Sequence, residues 1–369
     1  MVQFILFTII AFVASVICGF VFIPRILNFC KKKNLYDIPN ERKVHKNAIP
    51  RLGGISFIPS MLVAFFVTLG LITVQGDHDV TLSLWSVYFF IGLMMIYAVG
   101  LIDDIIGLAP INKFIVQILS ACALPISGLY FNNFYGFCGI NEIPYYLGMP
   151  LTVFVVVFIV NAMNLIDGID GLSGCLSMLA LAGFLYSFAI QGMWYYVILI
   201  AGLMGVLVPF LYFNIFGNAE KNRKIFMGDA GSLSLGFILA FLCVKFAMDN
   251  QLVMPYRRNG MLLSYTLLLV PVFDVVRVSL VRLYHHKSIF IADKNHIHHK
   301  LMRAGLTQHQ TLMVILMLAI FFIVINHILT RCCIFTCDIL IDIVIWVIFH
   351  QVLNFFIERR NSKTTKVEP

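Results

Sequence analysis

Charge is what this chain has least of. Only 12% of its 369 residues are Asp, Glu, Lys or Arg, about half the share expected of a soluble chain, which excludes a water-soluble enzyme of one or two domains. No pair of C-x-x-C knuckles is present, so a zinc fold has no support. The nine cysteines are odd in number and fall mostly within apolar stretches, where a thiol behaves as a small hydrophobe. Cys332, Cys333 and Cys337 are the exception, grouped where they could pair. No basic residue precedes the first apolar stretch and no A-x-A site follows it. It therefore reads as a retained span, not a cleaved signal peptide. No internal repeat or low-complexity tract is apparent. Disorder is excluded by 34 Phe and 14 Tyr.

What is there is apolar length. Mean hydropathy is +0.93, and spans of about 20 residues are expected near 2–29, 52–74, 84–102, 114–131, 147–166, 172–190, 194–216, 231–249, 261–283, 311–329 and 338–357. The expected fold is an all-α polytopic membrane protein of about eleven transmembrane helices, one domain over 1–369 with a short basic tail at 358–369. The basic residues fix its orientation. With the N-terminus outside, inner loops and tail take twenty of the 26 Lys and Arg, against Arg257, Arg258 and Arg331 outside. The C-terminus is then cytoplasmic. The formal net charge of +8 reports topology rather than nucleic-acid binding.

The 18 acidic residues carry most of the remaining information. A carboxylate in lipid costs at least ~2.5–3.5 kcal/mol, so acids at membrane depth are functional candidates by default. Asp103 and Asp104 close the third span in Gly100-Leu-Ile-Asp103-Asp104. They are either a solvated loop start or a pair whose repulsion a cation relieves. Gly107 stands where a D-D-x-x-D prenyl-diphosphate motif would need its third acid. Asn161, Asn164, Asp167 and Asp170 follow Val153–Val160 within ten residues, which packing does not explain. Asn161 and Asn164 share a helical face, and Gly168 and Gly171 let the chain turn. Phe226-Met-Gly-Asp229-Ala-Gly-Ser232 opens the eighth span, where Asp229 is either a helix cap or a metal ligand beside an anion-binding helix N-terminus. His296, His298 and His299, with Lys294, Lys300 and Arg303, lack a completing thiol or carboxylate for zinc. They suit hydrogen bonding to phosphate. Asp274 is expected to pair with Arg277, three residues on. His45 and Arg51 lie in an inner loop that topology alone explains.

All these groups fall at the inner ends of the expected spans, which places an active site on the cytoplasmic face. Oxygen ligands without Cys or a His-Glu set favour a hard cation such as Mg²⁺, and the surrounding cations suit a highly anionic substrate.

The segments H-x-x-x-x-P-R-x-G-G, G-L-x-D-D, N-x-x-N-x-x-D-G-x-D-G-L, F-M-G-D-x-G-S and H-x-H-H-x-L-x-x-x-G occur in that order over about 42–305. In this the chain resembles the polyprenyl-phosphate N-acetylhexosamine-1-phosphate transferases. The resemblance implies transfer from UDP-GlcNAc to undecaprenyl phosphate, releasing UMP, with Mg²⁺ (Mn²⁺ as the alternative), at a bacterial plasma membrane and with a homodimer as one option. It also implies Asn164 and Asp229 as metal ligands, and Asp103 and Asp104 where the lipid phosphate attacks. Lys113 would contact phosphate, and Asn161, Asp167 and Asp170 would hold the nucleotide and its loop. His296, His298, His299 and Arg303 would contact the sugar-phosphate, and His45 and Arg51 the lipid phosphate. His-Ile-His-His resembles the GlcNAc-1-phosphate (WecA- or TagO-like) branch more than the UDP-MurNAc-pentapeptide branch with its H-H-H run. Another UDP-HexNAc donor stays open. A cation-coupled transporter is the alternative of another class, and it would need polar groups near mid-span and repeated halves.

Overall fold

Thirteen α-helices carry the chain in a computed structural model that describes residues 2–37, 48–75, 83–251, 253–288, 294–330 and 334–364. They divide into two units, Met1–Phe131 with Tyr145–Phe246, and Asn132–Pro144 with Ala247–Pro369. Among the described residues nine helices are long and apolar enough to cross a membrane. The chain is therefore an all-α polytopic membrane protein.

The first unit holds α1 (Val2–Lys33), α2 (Phe57–Val74), α3 (Leu84–Ile106), α4 (Pro110–Ile126), α5 (Tyr145–Ile166), α6 (Leu172–Ile190), α7 (Trp194–Ile215) and α8 (Gly228–Ala247). Helix α8 is apolar around its whole circumference, as a helix enclosed by others must be, and its apolar window is buried throughout. Small residues let the site-bearing backbones close on it. A Cβ on Gly100 of α3 would stand 2.6 Å from the Ala230 Cα, and one on Gly54 would overlap Gly231. On α1 the small residues Ala11, Ser15 and Gly19 recur every fourth position on the buried face, and Gly19 packs against Val206 and Pro209 of α7. This is small-residue packing of the kind membrane helices use.

Two expected spans differ in form. Helix α4 starts at Pro110, not 114, and is 17 residues long. Proline is favoured at the first helical position because its missing N–H has no partner to lose there, so Lys113 sits in the first turn of α4 rather than in a loop. The expected span 261–283 is α9 (Gly260–Leu267) and α10 (Leu269–Tyr284), bent by 70° at Leu268. Pro271 has no N–H for the Leu267 carbonyl and its ring collides with it. A hydropathy window does not register that bend.

The second unit contains the hairpin β1 (Asn133–Phe137) and β2 (Ile140–Glu142), then α9, α10, the short α11 (Ile297–Arg303), α12 (Gln308–Leu329) and α13 (Phe335–Thr364). Helix α12 opens with a reciprocal capping box, in which Thr307 Oγ1 accepts the Gln310 N–H and Gln310 Oε1 accepts the Thr307 N–H.

Candidate active site

In the first unit four helix ends meet. Asp103 and Asp104 lie in the last turn of α3, Lys113 in the first turn of α4, Asn164 in the last turn of α5 and Asp229 in the first turn of α8. The Lys113 ammonium bridges two carboxylates, 3.1 Å from Asp103 Oδ2 and 2.9 Å from Asp229 Oδ2. Asn164 Nδ2 donates to Asp229 Oδ1 at 3.1 Å and to Ser232 Oγ at 2.8 Å. Asp103 is further fixed by the Leu108 N–H, which donates to its Oδ1 at 2.7 Å across the turn that ends α3.

Asp104 does different work from its neighbour. Its side chain is buried, and its two oxygens accept the backbone N–H groups of Asp229 and Ala230, each at 2.9 Å. It therefore caps α8 from outside the helix, satisfying two of the N–H groups that a helix start leaves open. Gly228, at φ +74°, makes the turn into α8, and a Cβ there would stand 2.6 Å from Asp104 Oδ2. Arg51 Nε donates to the Asp104 carbonyl at 2.9 Å, so its charge is held beside the acidic pair.

Backbone pairing joins two of the sequence segments directly. Gly53 N–H donates to the Phe226 carbonyl at 2.9 Å, Gly54 N–H to the Met227 carbonyl at 2.7 Å, and Phe226 N–H to the Pro50 carbonyl at 2.7 Å. The P-R-x-G-G and F-M-G-D segments thus form one rigid floor. Asn161 is not on that floor; its Nδ2 donates to Gln117 Oε1 at 2.6 Å and ties α5 to α4. Asp170 is paired with Lys224 at 2.6 Å. Asp167 lies just past α5, half-buried, and its carboxyl is raised to about 7 by burial and then by the carboxylates of Asp229, Asp170 and Asp104.

Sequence reasoning missed Asn214, Gln117 and Lys224. Asn214 is buried in α7, accepts the Gly171 N–H at 2.6 Å and donates to the Ile225 carbonyl at 2.8 Å. An Asn in an otherwise apolar span was the available signal. His45 lies outside the described residues, as do Cys332 and Cys333.

The donor set can be tested against a metal ion. Asp103 and Asp229 share the Lys113 ammonium, Arg51 stands beside Asp104, and Asp167 has only other carboxylates for charged neighbours among the described residues, so negative groups outnumber the cations here. All candidate ligands are oxygens. Among the described residues no three His, Cys, Asp or Glu side chains form a cage. Mg²⁺ takes only one or two protein carboxylates and the rest from phosphate and water, so these residues fit it.

The second unit carries the histidines. Asp274 of α10 is fully buried and pairs with Arg277 at 2.8 Å, the expected partner. It also contacts His296 Nδ1 at 2.8 Å and accepts the Ile297 N–H at 2.9 Å. Asp274 thereby sets the entry into α11 and fixes the His296 ring. Arg303 Nη2 donates to Asn295 Oδ1 at 3.3 Å. Breaking a buried ion pair from one side costs about 3–5 kcal/mol, so Asp274→Asn should lower the melting temperature clearly in a detergent thermal-shift measurement. His298 is buried and neither ring nitrogen has a hydrogen-bond partner.

Burial, then the neighbouring His299, pushes the His298 imidazole down to about 3. Burial, then His296, Lys294 and Arg303, pushes His299 down to about 4. Both rings are neutral at neutral pH and offer hydrogen bonds rather than charge. The unfolded chain binds protons near 6.5 that the folded chain refuses, so stability is fully present above that value and is lost as pH falls toward 4. Melting temperature should drop between pH 6.5 and 4, and less steeply in His298→Leu.

Fold and site together define an all-helical integral-membrane protein whose polar chemistry gathers carboxylates, amides and one lysine at helix ends. The family model of glycosyl transferase family 4 matches residues 86–247, from α3 to α8. It is 28% identical over 326 residues to a probable undecaprenyl-phosphate N-acetylglucosaminyl 1-phosphate transferase of Bacillus subtilis (strain 168), covering 85% of this chain and 82% of the relative. Undecaprenyl-phosphate alpha-N-acetylglucosaminyl 1-phosphate transferases are similar too. That of Yersinia pestis is 27% identical over 82% of this chain and 78% of its own length. That of Escherichia coli (strain K12) is 28% identical over 78% and 75%.

Proposed function

We propose that this chain transfers GlcNAc-1-phosphate from UDP-GlcNAc to undecaprenyl phosphate, giving the lipid-diphosphate sugar and UMP. The reaction takes place at the cytoplasmic face of a bacterial plasma membrane. The observation that carries this reading is Lys113 clamped between Asp103 and Asp229 beside Asn164, within a stretch matching the family. The relatives' names support the N-acetylglucosaminyl 1-phosphate group and the lipid.

In this reading an oxygen of the lipid phosphate attacks the sugar-bearing phosphorus, and the anhydride bond to UMP breaks. A phosphate monoester has its second pKa near ~6, so the nucleophile is already largely ionised and needs no strong base. Asp103 has both oxygens engaged, on Leu108 N–H and Lys113, which suits holding the lysine better than taking a proton. The harder task is bringing two anions together, at about 4 kcal/mol per charge pair at 4 Å and an effective dielectric near 20. Lys113 supplies a positive charge at the point of attack, and Asp103 and Asp229 aim it. Bound Mg²⁺, held by Asn164 and Asp229 with Mn²⁺ as an alternative, would neutralise charge on the diphosphate. The polar groups stand at helix ends rather than mid-span, which favours an enzyme over a transporter.

The test is a membrane assay with UDP-[³H]GlcNAc and undecaprenyl phosphate, scoring Mg²⁺-dependent labelled lipid and UMP. Product with UDP-GlcNAc supports the reading, and product only with another UDP-HexNAc or UDP-MurNAc-pentapeptide would move the donor. No product with any of them overturns it.

A further inference from the structure

Helix α13 changes character within one turn. Phe349, Val352, Leu353 and Phe356 recur at the i, i+3, i+4 and i+7 spacing of one helical face. Arg359 and Arg360 continue that face past the end of the expected span at 357, while Glu358 falls on the opposite side of the helix. These six residues form one wall of a groove of about 670 Å³, within the ~300–1,000 Å³ of small-molecule sites. Leu301 of α11, with Ala304 and Leu306 just after it, forms the other wall.

The charged end of the groove is held in place. Arg360 Nη1 donates to the Arg303 carbonyl at 3.3 Å, which lays the guanidinium across the C-terminal end of α11. Gly305, at φ +110°, makes room for it, since a Cβ there would overlap that guanidinium. The apolar part stays open, with Val352 and Phe356 49% and 53% exposed. An apolar stripe two turns long, topped by two guanidiniums, complements a hydrocarbon chain joined to a phosphate.

We propose that this groove binds an anionic phospholipid of the surrounding bilayer, its phosphodiester at Arg359 and Arg360 and an acyl chain along Phe349–Phe356. The orientation read from the basic residues puts this end of α13 at the cytoplasmic leaflet, whose anionic lipids attract Lys and Arg beside a span. None of the groove residues belongs to the site around Lys113. The lipid would bridge α13 to α11, and so brace the helix that carries His298 and His299.

The test titrates full-length protein in neutral detergent with dioleoylphosphatidylglycerol or dioleoylphosphatidylcholine and reads melting temperature. Phosphatidylglycerol should raise it and phosphatidylcholine should not. The apparent affinity for phosphatidylglycerol should fall at least about tenfold in Arg359→Gln/Arg360→Gln. Val352→Trp fills the groove but keeps both arginines, and it should lose the response too. Lys221→Gln/Arg223→Gln removes as much charge from a loop of the first unit and should keep it. Equal rises with the two lipids overturn the proposal on the wild-type protein alone, whether or not the variants fold. A full response in the double arginine variant overturns it, as does the same rise with inorganic phosphate. A response to undecaprenyl phosphate that is lost in the double arginine variant gives the groove to that lipid and overturns the phospholipid assignment.

Discussion

Asp229→Ala should abolish turnover, with a loss of at least about a thousandfold in kcat, while the protein still folds. Its carboxylate joins everything in the first-unit site, accepting from Lys113 at 2.9 Å and from Asn164 at 3.1 Å. Removing it frees the lysine from one of its two anchors and strips the proposed metal position of its only carboxylate. Removal of one preorganised electrostatic group costs about 10²–10³ in rate, and two such functions are lost here together. Folding should survive because the contact that caps α8 uses the Asp229 backbone N–H, which alanine keeps. The measurement is initial rate against Mg²⁺ concentration, beside a thermal melt. Wild-type turnover with unchanged Mg²⁺ dependence would remove Asp229 from the metal assignment.

Much of this was legible because the chain has so few charges. An acid at membrane depth is costly enough that Asp103, Asp104, Asp167 and Asp229 announce themselves, and ordered motif spacing groups them. What the sequence does not carry is which atom each group spends on which partner. Asp103 and Asp104 are adjacent in the chain, and the motif resemblance implies one shared role for them. A helix turns about 100° per residue, so one carboxylate reaches Lys113 and the other reaches the α8 backbone. The contact of Asp274 with His296 spans 22 residues and follows from the path between α10 and α11, which no local pattern encodes. Asn214 was hidden for the opposite reason, as one amide in a span read only for its apolar length.

That division of labour leads to the second large effect. Asp104→Asn should lower both stability and kcat, whereas Asp103→Asn should lower kcat with little change in melting temperature. The Asp104 carboxylate accepts two backbone N–H groups at the start of α8, and hydrogen bonds to a charged group contribute roughly 1.5–3 kcal/mol each. Asparagine has one acceptor oxygen, so its NH₂ would face one of those N–H groups and leave it buried and unpaired. Helix α8 carries Asp229 and Ser232, so a shift at its first turn moves Asp229 relative to Lys113. Misplacement of about 1 Å costs on the order of a hundredfold in rate. Asp103, half-buried and paired with Lys113, holds no helix end but its own. Melting temperature and kcat measured on both variants separate the two roles. Equal melting temperatures for Asp104→Asn and wild type would show that Asp104 does not hold α8, and would return it to direct contact with substrate.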